Sequence, residues 1–412
     1  MGRARHLLDP AAIFLTTPGG HLLTPQNSFA FGLYILKVAS RCNLNCTYCY
    51  VYNKGDDSWR GRPAIMSDDV FKQTLRRIDE ECNRTGQNSV KITFHGGEPC
   101  LVGAKRFDMW CSLAREILAS RKVTLTLQTN GTLLDKPWAE ALSLHHVNVG
   151  VSVDGPRTIH DANRVDHRGQ GSYDKVVRGL RELAEAGIPY GILTVVSPGM
   201  DGLMVHRALT DLGPASISYL LPDYTHDTVH EVRRRHGPHP CADFLLPVFD
   251  DWWFNGGIGL QIANFWHIAT AIMGGSSRTD TLGNGQFGYL VVETDGDVEG
   301  LDCLKVCGAG TAASGVNVIG APFRAVLDTP GDLAASVFCG TTLPTACRAC
   351  PEASTCGGGY LPHRFSRDRG FDNPSVWCAD LLMIFGHMRH RLDVSHQETA
   401  LRRRVLAETV RG

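Results

Sequence analysis

"RCNLNCTYCY", residues 41–50, places Cys42, Cys46 and Cys49 within eight residues, with Tyr48 and Tyr50 flanking the last of them. Three soft thiols this close together point to a metal. Three are also one fewer than a closed structural site takes, so one coordination position stays open for something else. The preceding stretch, "FGLYILKVA", reads as a strand, which puts the thiols in the loop at its carboxyl end.

Working outward, strand and helix signals alternate from residue 31 to about 222. "SDDVFKQTLRRIDEECNRTG" (67–86) reads as a helix with Ser67 as N-cap, acids in its first turn and Gly86 at its end. "SVKITFHG" (89–96) and "KVTLTLQT" (122–129) read as strands with the helical pattern "AKRFDMWCSLAREILAS" between them. A short helix starting at a proline, the strand "HVNVGVSVDG", a helix over 172–187 capped by Ser172, and the strands "PYGILTVVS" and "SISYLLP" complete six strand–helix pairs. Apolar strands alternating with amphipathic helices imply a parallel sheet covered by helices, an α/β fold. The polar signatures follow the strands: the cysteines after the first, "HGGEP" after the second, "QTNG" after the third, and "SVDG" ending the fourth. Parallel barrels collect their active sites at the carboxyl ends of the strands.

The chain has 412 residues, 43% hydrophobic and 20% charged, with a net charge of −1. That suits a globular protein of two or three domains, or one large barrel with an extension. Near-neutral charge argues against a dominant nucleic-acid or membrane-surface role. The basic runs "EVRRRHG" and "LRRRVL" read as solvated helix faces. No apolar run approaches the roughly 18 residues of a membrane span. The early run "AAIFL" is too short for a signal peptide, so the cytoplasm is expected. Fourteen cysteines there read as metal ligands rather than disulfides. Cys82 and Cys111 fall on apolar helical positions and read as core residues, with Cys100 and Cys241 also assigned no ligand role.

Three thiolates can hold three irons of a 4Fe–4S cluster and leave the fourth iron open. The spacing C-x-x-x-C-x-x-C, with Tyr48 before the third cysteine, resembles the signature of radical S-adenosylmethionine (SAM) enzymes. That resemblance implies a partial (β/α)6 barrel in which Cys42, Cys46 and Cys49 bind the cluster and its open iron chelates SAM. It implies that Gly96, Gly97 and Glu98 meet the SAM amine, that Ser152 contacts the ribose, and that Arg164 pairs with the carboxylate. A guanidinium suits that task because it offers two parallel donors. Gln128 and Asn130 are expected on the same floor or in a strand-end turn. Cleavage of SAM would give a 5′-deoxyadenosyl radical that abstracts hydrogen, with the protein positioning the cofactor and excluding water.

Near the C-terminus, Cys347, Cys350 and Cys356 with Cys378 can close a zinc site or a cluster. The pattern is similar to the SPASM extension of peptide-modifying radical SAM enzymes, which implies an auxiliary 4Fe–4S cluster. Tyr360 stands where such extensions usually carry a further cysteine, and an upstream cysteine is also missing. Cys303, Cys307 and Cys339 are therefore less certain ligands of a second auxiliary site.

"LKVASRCNLNCTYCYVYN", "CGGGYLPHRFS" and "GFDNPSVWCADL" look most like the cyclophane-forming (FxsB-type) peptide maturases. The resemblance implies a ribosomal precursor peptide as substrate and an electron donor such as flavodoxin or ferredoxin. It implies a bond between a side-chain β-carbon and an aromatic ring. Asp295, Asp302 and Asp380 are candidates to take the ring proton, or are turn and cap residues. Thioether formation (a sactisynthase), formylglycine formation in a sulfatase, and a non-catalytic metal-stabilised binding protein are the competing readings. The expected organisation is an N-terminal segment (1–30), the barrel (31–222), a linker with helices (223–290), the SPASM extension (291–380) and a closing helix (381–412).

Overall fold

The computed structural model describes residues 30–255, 259–276, 279–282, 288–328, 337–338 and 341–409. Cys339 and most of the N-terminal segment lie outside them.

The alternating half folds as read. The order is β1 (Leu33–Ala39), α1 (Asp68–Thr85), β2 (Ser89–Gly96), α2 (Ala104–Ile117), β3 (Lys122–Thr129), α3 (Lys136–Leu144), β4 (Asn148–Ser152), α4 (Arg157–Asn163), α5 (Tyr173–Glu185), β5 (Tyr190–Val195), α6 (Gly202–Thr210) and β6 (Ser216–Leu220). Local chemistry sets the ends. Ser67 accepts a hydrogen bond from the Val70 N–H, and Gly86 ends α1 in the left-handed conformation at φ 69°. Phe71, Leu75, Ile78 and Cys82, at steps of four, three and four, form the buried stripe of α1. Phe71 stacks on Trp110 of α2 at 4.6 Å. Burial of each such side chain contributes about 2 kcal/mol.

The sheet does not stop at β6. It continues through α7 (His230–His236), α8 (Pro240–Phe254), β7 (Gln261–Ile262), α9 (Ala263–Ile272), β8 (Tyr289–Val292), β9 (Asp297–Glu299) and β10 (Ala313–Asn317). Among the described residues the strand order is β10-β9-β8-β1-β2-β3-β4-β5-β6-β7. Strands β1 to β7 run parallel in sequence order, and β8 lies parallel on the other edge of β1. Leu36 is in register with both Phe94 and Val292. The cysteine-rich segment thus grows directly out of the barrel sheet. It contains α10 (Ala353–Cys356) and leads into α11 (Cys378–Leu392) and α12 (His396–Thr409).

Two expectations change. The tail is two helices rather than one, broken at Asp393, which adopts φ 56°. Ser172 does not cap α5 with its side chain. Its hydroxyl donates to the Arg164 carbonyl at 2.7 Å and pairs with His160 Nε2 at 2.9 Å, a tertiary network that outcompetes the local cap. Cys82, Cys100, Cys111 and Cys241 are buried, in line with core roles. No helix among the described residues is long and apolar enough to cross a membrane.

Candidate active site

The loop after β1 is fastened to the segment after α4. Asn45 N–H donates to the Val165 carbonyl at 2.7 Å, and Thr47 N–H to the Asn163 carbonyl at 2.9 Å. This pairing carries Arg164 to the cysteine loop. Its Nη1 donates to the Tyr48 hydroxyl at 2.6 Å, and that hydroxyl donates to Asp154. Arg164 Nη1 and Asp154 Oδ2 are 4.0 Å apart. Burial raises the Asp154 carboxyl, and the Arg164 charge opposes that rise.

The loop after β2 crosses the end of β1 so closely that only glycine fits. A Cβ on Gly96 would lie 2.2 Å from the Ala39 carbonyl oxygen, and one on Gly97 would lie 2.3 Å from the Arg41 carbonyl oxygen. Glu98 then turns inward and is fully buried. Its oxygens accept from Cys100 N–H at 2.9 Å, the Thr129 hydroxyl at 2.6 Å and Asn130 N–H at 2.8 Å. Glu98 therefore holds the turn after β3. Burial raises its carboxyl, against those three bonds. Asn130 in turn bonds Asn43 Oδ1 at 2.9 Å, and its Nδ2 lies 3.7 Å from Cys42 Sγ. Gln128 Nε2 donates to the Ser152 hydroxyl at 3.2 Å.

These loops open onto one cavity of about 450 Å³ at the carboxyl ends of the strands. Cys42, Cys46, Cys49, Tyr48, Gly96, Gly97, Gln128, Asn130, Ser152 and Arg164 all line it. That volume lies within the range of small-molecule sites. Arg164 Nε is buried in it without a partner, a donor of the kind a bound carboxylate satisfies. Burial pushes the Cys42 thiol up to about 12 and raises those of Cys46 and Cys49. Such thiols ionise when a cation binds them. The donor set and the unsatisfied guanidinium nitrogen fit a cluster with SAM.

The second cysteine group also converges. Cys347, Cys350, Cys356 and Cys378 line one small cavity, with Cys378 at the start of α11. Among the described residues no group of three or more His, Cys, Asp or Glu closes on a point that suits a single ion. The four thiols border that cavity together, a donor set that a 4Fe–4S cluster takes. Leu381 of α11 lines both this cavity and the large one.

The three aspartates separate. Asp295 pairs with Arg62 at 2.7 Å near the surface. Asp380 Oδ1 accepts from Cys241 and Ala242 N–H at 2.7 and 2.9 Å, so it caps the start of α8. Asp302 is paired with Lys37 at 2.9 Å and accepts from the Tyr50 hydroxyl at 2.5 Å. Burial works against the Asp302 charge, but Lys37 and Lys305 outweigh it and hold the carboxyl well below the usual range. Sequence reasoning missed Asp154, His95 and Asp280. Asp280 lines the cavity, accepts from the Tyr289 hydroxyl at 2.8 Å, and is raised by burial. Its stretch, "SSRTDTLG", carries no motif.

The Radical SAM superfamily profile matches residues 36–212. The chain is 30% identical over 273 residues to a cysteine-type anaerobic sulfatase-maturating enzyme of Clostridium perfringens, across 65% of this chain and 72% of that one. It is 25% identical over 406 residues to a serine-type anaerobic sulfatase-maturating enzyme of Bacteroides thetaiotaomicron, across 91% and 94%. Native anSMEcpe with bound AdoMet (SAM) is similar in structure, with a TM-score of 0.75 and 25% identity over 88% of this chain and 97% of that one. The same enzyme with AdoMet and a Kp18Cys peptide gives 0.74 at 25% identity, over the same 88% and 97%. With its three thiols, its glycine loop and its unsatisfied arginine on one cavity, this chain belongs to the radical SAM superfamily, enzymes that use a 4Fe–4S cluster and SAM.

Proposed function

We propose that this chain is a maturase that joins a side-chain β-carbon of a ribosomal precursor peptide to an aromatic ring, the β-carbon losing a hydrogen atom and the ring losing a proton and an electron. When bound, the cluster on Cys42, Cys46 and Cys49 supplies, with SAM, a carbon radical that takes one hydrogen atom, and a cluster on the distal thiols supplies an electron sink. The observation that carries the reading is Leu381, a single side chain shared by the walls of the large cavity and the four-thiol cavity. The site that initiates and the site that accepts an electron therefore abut one substrate space.

The chain's own residues supply the rest. Arg164 and the Gly96–Gly97 backbone hold SAM. Tyr48 and Asp154 fix Arg164. Asp280 on the wall is placed to take the ring proton, whereas Asp302, one hydroxyl away through Tyr50, is held as a weakly basic carboxylate by Lys37 and Lys305. The buried apolar wall keeps water from the radical. A peptide substrate is supported by the peptide held in anSMEcpe, and the cyclophane product by the sequence resemblance over roughly residues 31–390. Flavodoxin or ferredoxin would supply the starting electron.

The sulfatase-maturating relatives favour a second reading, oxidation of a Cys or Ser to formylglycine. One experiment separates them. The anaerobically reconstituted protein is incubated with SAM, dithionite and either a candidate aromatic-containing precursor or a Cys- or Ser-type sulfatase peptide. Deoxyadenosine release and tandem mass spectra are read against Cys46→Ala. A precursor lighter by two hydrogens, with no fragmentation between the linked residues, supports the cyclophane. A hydrazine-reactive aldehyde on the sulfatase peptide alone replaces it with the second reading. No deoxyadenosine under any condition, with iron and SAM bound, overturns both.

A further inference from the structure

Asp302–Cys307 is a 3-10 helix. Such a helix has three residues per turn, so positions three apart eclipse and positions four apart diverge by about 120°. Asp302 and Lys305 share a face and both enter the buried charge network, Asp302 on Lys37 and Lys305 on Glu293 and Glu299. Cys303 lies one step round and lines the large cavity. Cys307 shares the face of Leu304. Both pack in a second apolar cluster with Leu301, Tyr360 and Leu361. Cys307 Sγ is 4.0 Å from the Pro362 carbonyl oxygen. The helix type therefore turns the two thiols away from each other, whereas an α-helix would bring positions four apart onto one face.

Tyr360 lines the large cavity beside Cys303. It is buried in the same apolar cluster and packed edge-on against His363, with centroids 5.1 Å apart. A further cluster here would need converging thiols around an inorganic core. Here the 3-10 register sets positions 303 and 307 about 120° apart, and Tyr360 rather than a thiol stands beside Cys303 on the wall, so the residues do not fit that group.

We propose that Cys303 and Cys307 ligate no cluster, that the thiols of the described residues form two iron–sulfur sites rather than three, and that Cys303 and Tyr360 belong instead to the substrate-cavity wall. Assignment of that wall to a substrate rests on the proposed function; the ligand count does not.

The test uses the full chain reconstituted without oxygen and needs no turnover. Iron and sulfide are counted, and the folded holoprotein is alkylated with iodoacetamide and mapped by mass spectrometry. About 8 irons per chain are expected, from two four-iron clusters. Cys42, Cys46, Cys49, Cys347, Cys350, Cys356 and Cys378 are expected to be protected from alkylation by the two clusters. A Cys303→Ser/Cys307→Ser double variant should keep all of its iron, and Cys350→Ser should lose about 4 irons. About 12 irons in the wild type, falling by about 4 in the double variant, would overturn the proposal. The wild-type iron count alone decides the matter where the double variant fails to fold. Either result leaves SAM cleavage untouched, so the maturase reading stands or falls separately.

Discussion

Arg164 donates to the Tyr48 hydroxyl at 2.6 Å, and so one hydrogen bond joins the residue between the second and third cysteines to the segment that ends α4. The cysteine loop and the arginine proposed to hold the SAM carboxylate are thus positioned together. Displacing one displaces the other.

Replacing Arg164 by Ala removes a charge-assisted contact and leaves Asp154 buried without its cation. A hydrogen bond to a charged group contributes about 1.5–3 kcal/mol, so SAM affinity should fall roughly tenfold to a hundredfold. Arg164→Lys keeps the charge but loses the fork, and should fall between wild type and Ala. Equilibrium dialysis of SAM against reconstituted protein measures both. Unchanged affinity in Arg164→Ala would remove this residue from the site.

Glu98 acts through the turn it holds. In Glu98→Gln one acceptor becomes an NH2 group facing a donor, which should cost about 1–3 kcal/mol of stability. SAM affinity should weaken as Asn130 shifts, with iron at the first site retained. Denaturant unfolding and iron content, read together, check this. A variant as stable as wild type would show that the three bonds contribute nothing net.

His160 is buried beside Arg164, and burial with that neighbouring charge lowers its pKa from 6.5 to about 3. The folded state requires the neutral ring. This contribution is complete above pH 6.5 and is lost as pH falls toward 3. At pH 5.5 the loss is about 1.4 kcal/mol relative to pH 7.5. Unfolding at the two pH values, wild type against His160→Gln, isolates the effect, because acid lability of the clusters is common to both. Equal losses in the two proteins would contradict it.

Arg389 of α11 grips Glu352 in the cysteine-rich loop with bonds of 2.6 and 2.9 Å, and His396 of α12 adds a third at 2.7 Å. Arg389→Ala strands a buried carboxylate, at a cost of about 3–5 kcal/mol. Because Glu352 lies between Cys350 and Cys356, iron should be lost from the distal site while SAM binding persists. Iron content and SAM dialysis on one preparation test the division. Loss of SAM binding as well would mean the two sites do not fold separately.

The aspartates should rank by position. Asp280→Asn should cut product formation at least tenfold while deoxyadenosine release continues, since proton removal follows hydrogen abstraction, whereas Asp302→Asn should act on stability by leaving Lys37 without its nearest carboxylate. Asp295→Asn, near the surface, should leave turnover within twofold. Asp380→Asn should act on stability through the start of α8. Product and deoxyadenosine are quantified in parallel. Full coupling in Asp280→Asn would place the proton acceptor elsewhere.

Local signals were the legible ones. Ser67 and Gly86 bound α1 to the residue because cap and stop are chemistry of adjacent positions. The strands 89–96 and 122–129 are equally local. The convergence of the triad and the glycine loop is readable because each follows a strand of one parallel sheet, whereas Arg164, at the end of α4, is reached only through the family resemblance. Partnerships across the chain were not. Tyr48 finds Asp154 across 106 positions and Tyr50 finds Asp302 across 252, and no periodicity encodes either. Ser172 has the sequence of a cap but is recruited by His160 and the Arg164 carbonyl. The divergence of Cys303 and Cys307 depends on a 3-10 rather than an α turn, which their spacing alone does not set.

The pairing of β1 with both β2 and β8 has a consequence for synthesis. One edge of β1 is satisfied by residues 89–96, but the other waits for residues 289–292. At roughly 5–20 residues per second, translation separates those events by about 10–40 s. Throughout that interval the nascent chain presents an unpaired, apolar strand edge, the kind that recruits other chains. A ribosome stalled before residue 289, or a truncation there, should therefore yield aggregates rather than a soluble half-barrel.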